Sequence, residues 1–317
     1  MDFNPNDREI QLRRKLAGVL AAYPAHDGFD AQLLPALERE GLLKSLDSCD
    51  DVLDATLVVE DVSRAGRLAP VGIHALLLPS LSPQLPGGIA AIARADVQVP
   101  VRFAQHANLL VLVGESQTCV NRVEPSAARP VVSNCGYPFA MLPSMRGPSL
   151  GIYPTELVVR RWQLAIAAEA VGAMDGVLSR MVDYLSGRRQ FGKPLASFQA
   201  LQHRLAELAT TLECARLLLR EAAWYDDVER AAAAACYVTA AARQFCLEGH
   251  QLCGARGFTL EFEMQRDSLR LHALSLEGGG CRWHSEVASM QRWCRAAANS
   301  RSSVATKTPQ SAPGVSL

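Results

Sequence analysis

Residues 188–208 read RRQFGKPLASFQALQHRLAEL, a loop set between two apolar stripes of helical period. Upstream, Trp162, Ile166, Ala170, Met174, Val177, Met181 and Tyr184 recur three or four residues apart, the mark of one buried helix face. Downstream, Leu201, Leu205, Leu208, Leu212, Ala215, Leu218 and Ala222 repeat that spacing. An alanine-rich run from Glu229 to Leu252 supplies a third helix whose small side chains permit close approach, and Met264 to Leu276 supplies a fourth. Residues 151–298 are therefore expected to form a four-helix bundle.

Working outward, residues 82–150 change texture to frequent Pro and Gly with short strand-like pieces. Val97, Val99, Val101 and Phe103 alternate with Gln98, Pro100 and Arg102, which predicts a half-buried strand that Pro100 places at a sheet edge. LLVLV at 109–113 reads as a buried strand and CVNRV at 119–123 as another. Residues 1–81 are helical: Ile10, Leu16, Val19 and Leu20 share a face, and DVLDATLVVEDVSRAG closes on Gly66 as a stop signal. The polar, Pro/Ser/Thr-rich segment 299–317 cannot bury a core and is expected to be a disordered tail. The fold class is mainly α with a small β domain.

A chain of 317 residues with 49% hydrophobic content can bury a substantial core. Its 32 basic and 32 acidic residues cancel, so no polyanion such as nucleic acid is indicated as the main partner. The cations are overwhelmingly arginine, with lysine only at Lys15, Lys44, Lys193 and Lys307. Nine cysteines without a C-x-x-C pair fit reduced thiols and a cytoplasmic location. The charged N-terminus has no apolar h-region, and no stretch reaches the ~18 apolar residues of a membrane span, so neither a signal peptide nor an anchor is expected.

Arg188, Arg189, Gln190, Phe191, Gly192, Lys193 and Pro194, followed by Phe198, Gln199, Gln202 and His203, resemble the R-x-Q-F-G-x-P…F-Q-x-x-Q-H signature of acyl-CoA dehydrogenases. Gln251, Leu252, Cys253, Gly254, Ala255, Arg256, Gly257 and Phe258 are similar to that family's Q-x-x-G-G-x-G segment, with Ala255 in place of the second glycine. VVEDVSRAGRLAP gives a fainter match to the helix before its acyl pocket. The resemblance implies an α-helical N-terminal domain, a reduced β barrel and a C-terminal four-helix bundle. It also implies FAD-dependent α,β-dehydrogenation of acyl-CoA thioesters, with electrons passing to an electron-transfer flavoprotein. In the family the two segments reach across a subunit interface to the adenine and pyrophosphate half of the flavin. Arg188, Gln190, Phe191, Gln251 and Gly254 would do so here, an arginine fork suiting the pyrophosphate and glycine permitting close backbone approach. Taken singly, Phe191 reads as core, Gly254 as a helix C-cap and Arg188 as a solvated charge.

The sequence departs from the family in two places. The T-E-P-x-x-G-S-D loop that contacts the flavin ring has no counterpart in GGIAAIARADVQVPV. At the position where one branch carries its base, counting back from Arg188 gives Trp162, which cannot abstract a proton. The other branch uses a Glu-Gly, matched by Glu277-Gly278, although a glutamate before glycines is also an ordinary helix end. Glu261 is a weaker candidate, and His203 reads as structural. Cys246, His250 and Cys253 share a helix face without a second ligand cluster, so no metal is expected. This pattern resembles the short subunits of heteromeric acyl-CoA dehydrogenases of bacterial steroid side-chain and related degradation. A longer homologous subunit, in a heterotetramer, would then supply the ring-binding domain and the catalytic glutamate. The alternatives are a self-sufficient homo-oligomer with Glu277 as base and a non-catalytic helical scaffold.

Overall fold

The computed structural model describes residues 6–24, 28–82, 84–134, 136–259 and 262–305, the stretch 295–305 as backbone alone. Three helices open the chain: α1 (Asp7–Ala22), α2 (Leu33–Arg39) and α3 (Cys49–Arg64). Asn6 Oδ1 caps α1 by accepting from the Glu9 N–H at 2.9 Å, and Ser48 Oγ caps α3 by accepting from Asp51 N–H at 3.3 Å. Leu12, Leu16 and Val19 carry the buried face of α1 and Leu20 packs beside them, so the expected face holds except for Ile10, which is 45% exposed. Gly66 ends α3 at φ 67°, a left-handed conformation that glycine adopts without a Cβ clash.

Seven strands follow: β1 (Ala90–Arg94), β2 (Val101–Arg102), β3 (Leu109–Val113), β4 (Gln117–Arg122), β5 (Arg129–Val131), β6 (Phe139–Met141) and β7 (Ser149–Pro154). They form a four-stranded sheet in the order β1-β3-β4-β7, with β1 and β3 parallel, and a three-stranded sheet β2-β6-β5. Ala90, Ile92, Leu109, Val111 and Val113 turn toward the helices, whereas Ala91, Ala93 and Leu110 meet Val101 and Ala140 of the second sheet. Both faces of β3 are thus covered, which is why LLVLV is apolar without alternation. The strand expected over 97–103 is mostly loop. Pro100 offers no N–H to a ladder, only Val101–Arg102 pairs, and Val97 and Val99 stay 38% and 45% exposed.

The helical bundle comprises α4 (Thr155–Gly187), α5 (Gln199–Tyr225), α6 (Val228–Cys253), α7 (Met264–Leu276) and α8 (Gly280–Ala305). The first four are the bundle helices expected, and α8 follows them and shortens the expected tail, because residues 299–305 are helical; residues 306–317 lie outside the described residues. Gly278, Gly279 and Gly280, at φ 68°, 115° and 68°, turn the chain between α7 and α8 rather than ending the bundle. Helix α4 is the central element, buried almost all round from Val158 to Met174 between the four-stranded sheet and helices α3, α5, α6 and α7. Gly172 permits the α3 crossing, since a Cβ there would overlap the Glu60 carbonyl oxygen. Asp227 Oδ1 accepts from Arg230 N–H at 2.9 Å and caps α6. Asp227→Ala should cost about 1 kcal/mol, read as a lower urea midpoint at unchanged slope.

Candidate functional site

The motif loop is a two-residue hairpin. Strands β8 (Arg189–Gln190) and β9 (Lys193–Pro194) flank Phe191 and Gly192 at φ 53° and 81°, the left-handed pair that such a turn requires. The Arg188 N–H closes α4 on Tyr184 O at 2.8 Å, and its carbonyl accepts from Leu195 N–H at 2.8 Å. Phe191 is not core: it is 89% exposed at the hairpin tip and touches Phe198 edge-on at 6.2 Å. Because α5 returns antiparallel to α4 and α6 runs parallel to it, the C-terminal ends of α4 and α6 share one end of the bundle. Arg256 there lies 5.7 Å from the Tyr184 ring, and Arg204 of α5 donates to Glu248 of α6 at 2.7 Å. Arg188, Gln190, Phe191, Gln251 and Gly254 are all exposed at this end. Gly254 caps α6 with φ 59° and ψ −147°, and a Cβ there would meet nothing within 4 Å.

Other sequence candidates are placed differently. His203 is exposed on α5, and Glu261 lies outside the described residues. Cys246 donates to Ser268 O at 3.2 Å and His250 Nε2 meets Ser268 Oγ at 2.8 Å, so these groups are occupied by α7. Among the described residues no three His, Cys, Asp or Glu side chains gather as a metal site, the cysteines are free thiols, and no helix is long and apolar enough to cross a membrane.

At the other end of α4 a cavity of 480 Å³ opens between the sheets and the α7–α8 turn. Its walls are mainly apolar, with Ile92, Val97, Val99, Val101, Phe139 and Leu276 among them, and its polar groups include Glu277, Arg102 and Arg94. The glycine turn delivers Glu277 to this space, where 10% of its side chain is accessible. Trp162, 3% exposed, lines the same cavity. Two positions far apart in sequence, each singled out as a possible base site, therefore converge. Arg102 Nε donates to Glu277 Oε2 at 3.1 Å, and Arg102 Nη1 donates to Glu169.

Burial pushes the Glu277 carboxyl above the ordinary carboxylate range; Arg102 opposes this, Glu169 adds to it, and the nearby Trp162 indole favours the ionised form. Burial disfavours the Arg102 cation, but the two glutamates more than offset this and raise its pKa. His284, which meets Gln163 Nε2 at 3.3 Å, is pushed by burial down to about 4 and is neutral near pH 7.

Arg102 and Glu169 were missed by sequence reading. Arg102 falls in the register read as solvent-facing. Glu169 did carry a signal, a lone carboxylate within AIAAEAVGAM, which must find a cation if the helix is buried.

The two places are separated by the length of α4. Trp162 and Arg188 are about 39 Å apart at ~1.5 Å per residue.

Residues 155–281 match the acyl-CoA dehydrogenase C-terminal domain family. The acyl-CoA dehydrogenase IpdE2 of Mycobacterium tuberculosis is 29% identical over 285 residues, covering 81% of this chain and 85% of that protein. Benzylmalonyl-CoA dehydrogenase of Aromatoleum aromaticum is 37% identical over 123 residues, but these cover 37% of this chain and 32% of that protein. The fold is shared with glutaryl-coenzyme A dehydrogenase in its glutaryl-CoA complex, at TM-score 0.71 and 16% identity over 92% of this chain and 97% of that one. It is shared also with a chain of the ChsE4–ChsE5 complex of Mycobacterium tuberculosis, at TM-score 0.66 and 17% identity over 98% and 100%. Residues 155–281 are thus an acyl-CoA dehydrogenase C-terminal domain, and most of the chain is similar in sequence to an acyl-CoA dehydrogenase.

Proposed function

We propose that this chain is a subunit of an FAD-dependent enzyme that removes hydrogens from Cα and Cβ of an acyl-CoA thioester, with Glu277 as the base that takes the Cα proton. The observation that carries this reading is a carboxylate with raised proton affinity, delivered by a three-glycine turn into an apolar cavity. FAD, when bound, would supply the acceptor for the Cβ hydride, with an electron-transfer flavoprotein as the electron acceptor the family implies. Glu277 takes the proton on its carboxylate, while the apolar walls exclude water and hold the acyl group.

The motif end fits the adenine and pyrophosphate half of that cofactor. Arg188 offers a guanidinium fork, Gly254 leaves its backbone approachable, and Phe191 and Gln190 stand exposed beside them. The separation of about 39 Å supports the reading that this end serves the flavin of a neighbouring subunit. That neighbour is read as a longer homologue in a heteromeric assembly, because the segment GGIAAIARADVQVPV has no counterpart of the family's ring-contacting loop, which the homologue must then supply for the cavity of Glu277. The full-length match to a chain from the two-protein ChsE4–ChsE5 complex accords with this. Arg188→Ala should weaken flavin binding roughly tenfold or more in the assembled enzyme, one charge-assisted bidentate contact being worth about 1.5–3 kcal/mol. Unchanged flavin affinity would count against the motif end as a cofactor grip.

One observation favours a second reading. Glu277 is ion-paired with Arg102, which would suit a subunit whose own carboxylate is idle and whose partner supplies the catalytic glutamate. Full turnover of Glu277→Gln within the assembled enzyme would decide for it.

A further inference from the structure

Arg102 leaves the sheet at the end of β2 and is buried between two carboxylates from different elements, Glu277 of the α7–α8 turn and Glu169 of α4. The two pairs use different edges of one guanidinium, Nε toward Glu277 and Nη1 toward Glu169, which a lysine ammonium could not reproduce. Its face is held 4.7 Å from the Tyr137 ring and 5.3 Å from Phe103, so the fork has little freedom. Gly72 makes room for the second carboxylate, since a Cβ there would sit 2.5 Å from Glu169 Oε1. Arg102 thus holds Glu277 through Oε2 while the carboxylate lines the cavity.

We propose that Arg102 is the positioning residue that presents Glu277 to the cavity in its proton-accepting form, and that Glu169, competing for the same guanidinium, sets how tightly Glu277 holds a proton. The inference rests on the reading of Glu277 as the base.

The other groups around Glu277 leave this balance to the three charges. Trp162 of α4 has no titratable group, and Tyr137, before β6, is pushed by burial up to about 12. His284 of α8 is neutral near pH 7. Arg94 of β1 donates to Gly278 O at 3.2 Å and pairs with Asp96, and Arg270 of α7 donates to Gly66 O. With both carboxylates ionised, the cluster of two carboxylates and one guanidinium carries one net negative charge. Removing Arg102 leaves two buried carboxylates side by side, which cannot both stay ionised cheaply. Neutralising Glu169 instead leaves Glu277 the sole partner of the guanidinium.

The two changes must move Glu277 in opposite directions, which a merely structural role would not produce. The full chain in its assembled form is titrated by difference infrared spectroscopy, and the carbonyl band of the protonated carboxyl present in wild type but absent from Glu277→Gln isolates this one group. Arg102→Met should raise its proton affinity tenfold or more, Arg102→Lys less, and Glu169→Gln should lower it severalfold. Should Arg102→Met fail to fold, the isosteric Glu169→Gln decides: a downward shift supports the proposal, and an unmoved or upward midpoint overturns it. Retained turnover in Glu277→Gln would overturn the base assignment and the proposal with it, whatever the midpoints do. Lost turnover together with unmoved midpoints would overturn the proposal alone.

Discussion

Glu277→Gln should reduce turnover of the assembled enzyme by roughly 10²–10⁴-fold, the usual contribution of a positioned general base, while leaving flavin content unchanged. The amide keeps the shape of the carboxylate and can still accept from Arg102 Nε, so the cavity wall and the Arg102–Glu169 pair survive. The motif end lies at the far end of α4 and is untouched. What disappears is the ability to take a proton. The wild-type enzyme should also gain activity as pH rises through the Glu277 titration, because a base must be deprotonated to act. Burial places that rise above the ordinary carboxylate range. Initial rates against a panel of acyl-CoA thioesters, with flavin absorbance measured on the same samples, check both statements. Turnover within a few-fold of wild type would remove Glu277 from the chemistry.

The second large effect concerns the scaffold that holds both places in register. Gly172 of α4 lies directly against the α3 backbone, where an added Cβ would overlap the Glu60 carbonyl and approach Ser63 Cβ to 2.9 Å. Neither neighbour is the free end of a flexible chain. Ser63 Oγ donates to Glu169 O at 2.6 Å, so the same contact ties α3 to the turn of α4 that bears Glu169. Gly172→Val forces the two helices apart and should cost at least about 3 kcal/mol, the upper range for overpacking, seen as a fall of several degrees in Tm. Gly18, whose added Cβ meets nothing within 4 Å, is the control: Gly18→Ala in the middle of α1 should be neutral or mildly stabilising. Equal Tm for Gly172→Val and wild type would contradict the tight α3–α4 crossing.

The bundle was legible in the sequence because its helices are long and periodic. The spacing from Trp162 to Tyr184 and from Leu201 to Ala222 survives in α4 and α5. Helix α8 was not legible, because three glycines after Glu277 read as a stop and the following stretch is polar. Its first turns are tied to the core by scattered residues, Trp283, His284 and Val287, with Cys281 meeting Cys236 of α6. That misreading also weakened the case for Glu277, since a glutamate at a helix end is commonplace, whereas one at the turn between two packed helices is delivered somewhere specific. The alternation over 97–103 misled in the opposite direction: its valines are spaced for a strand but line a cavity. Period alone does not distinguish a sheet face from a pocket wall. The motif residues were found by resemblance, and the structure adds that they stand together, exposed, at one end of the bundle. The grouping of Arg102, Glu169 and Glu277 depends on tertiary contacts among β2, α4 and the α7–α8 turn, and no local pattern encodes it.

On the proposed function, the motif end of this chain completes a flavin site in a neighbouring subunit of a different, longer kind. It is tested most directly by measuring bound FAD per protomer for the chain purified alone and for the chain assembled with its longer homologue. The account predicts little or no flavin on the chain alone and stoichiometric flavin in the assembly, lowered by Arg188→Ala. Full occupancy, one FAD per protomer, on the chain alone would contradict it.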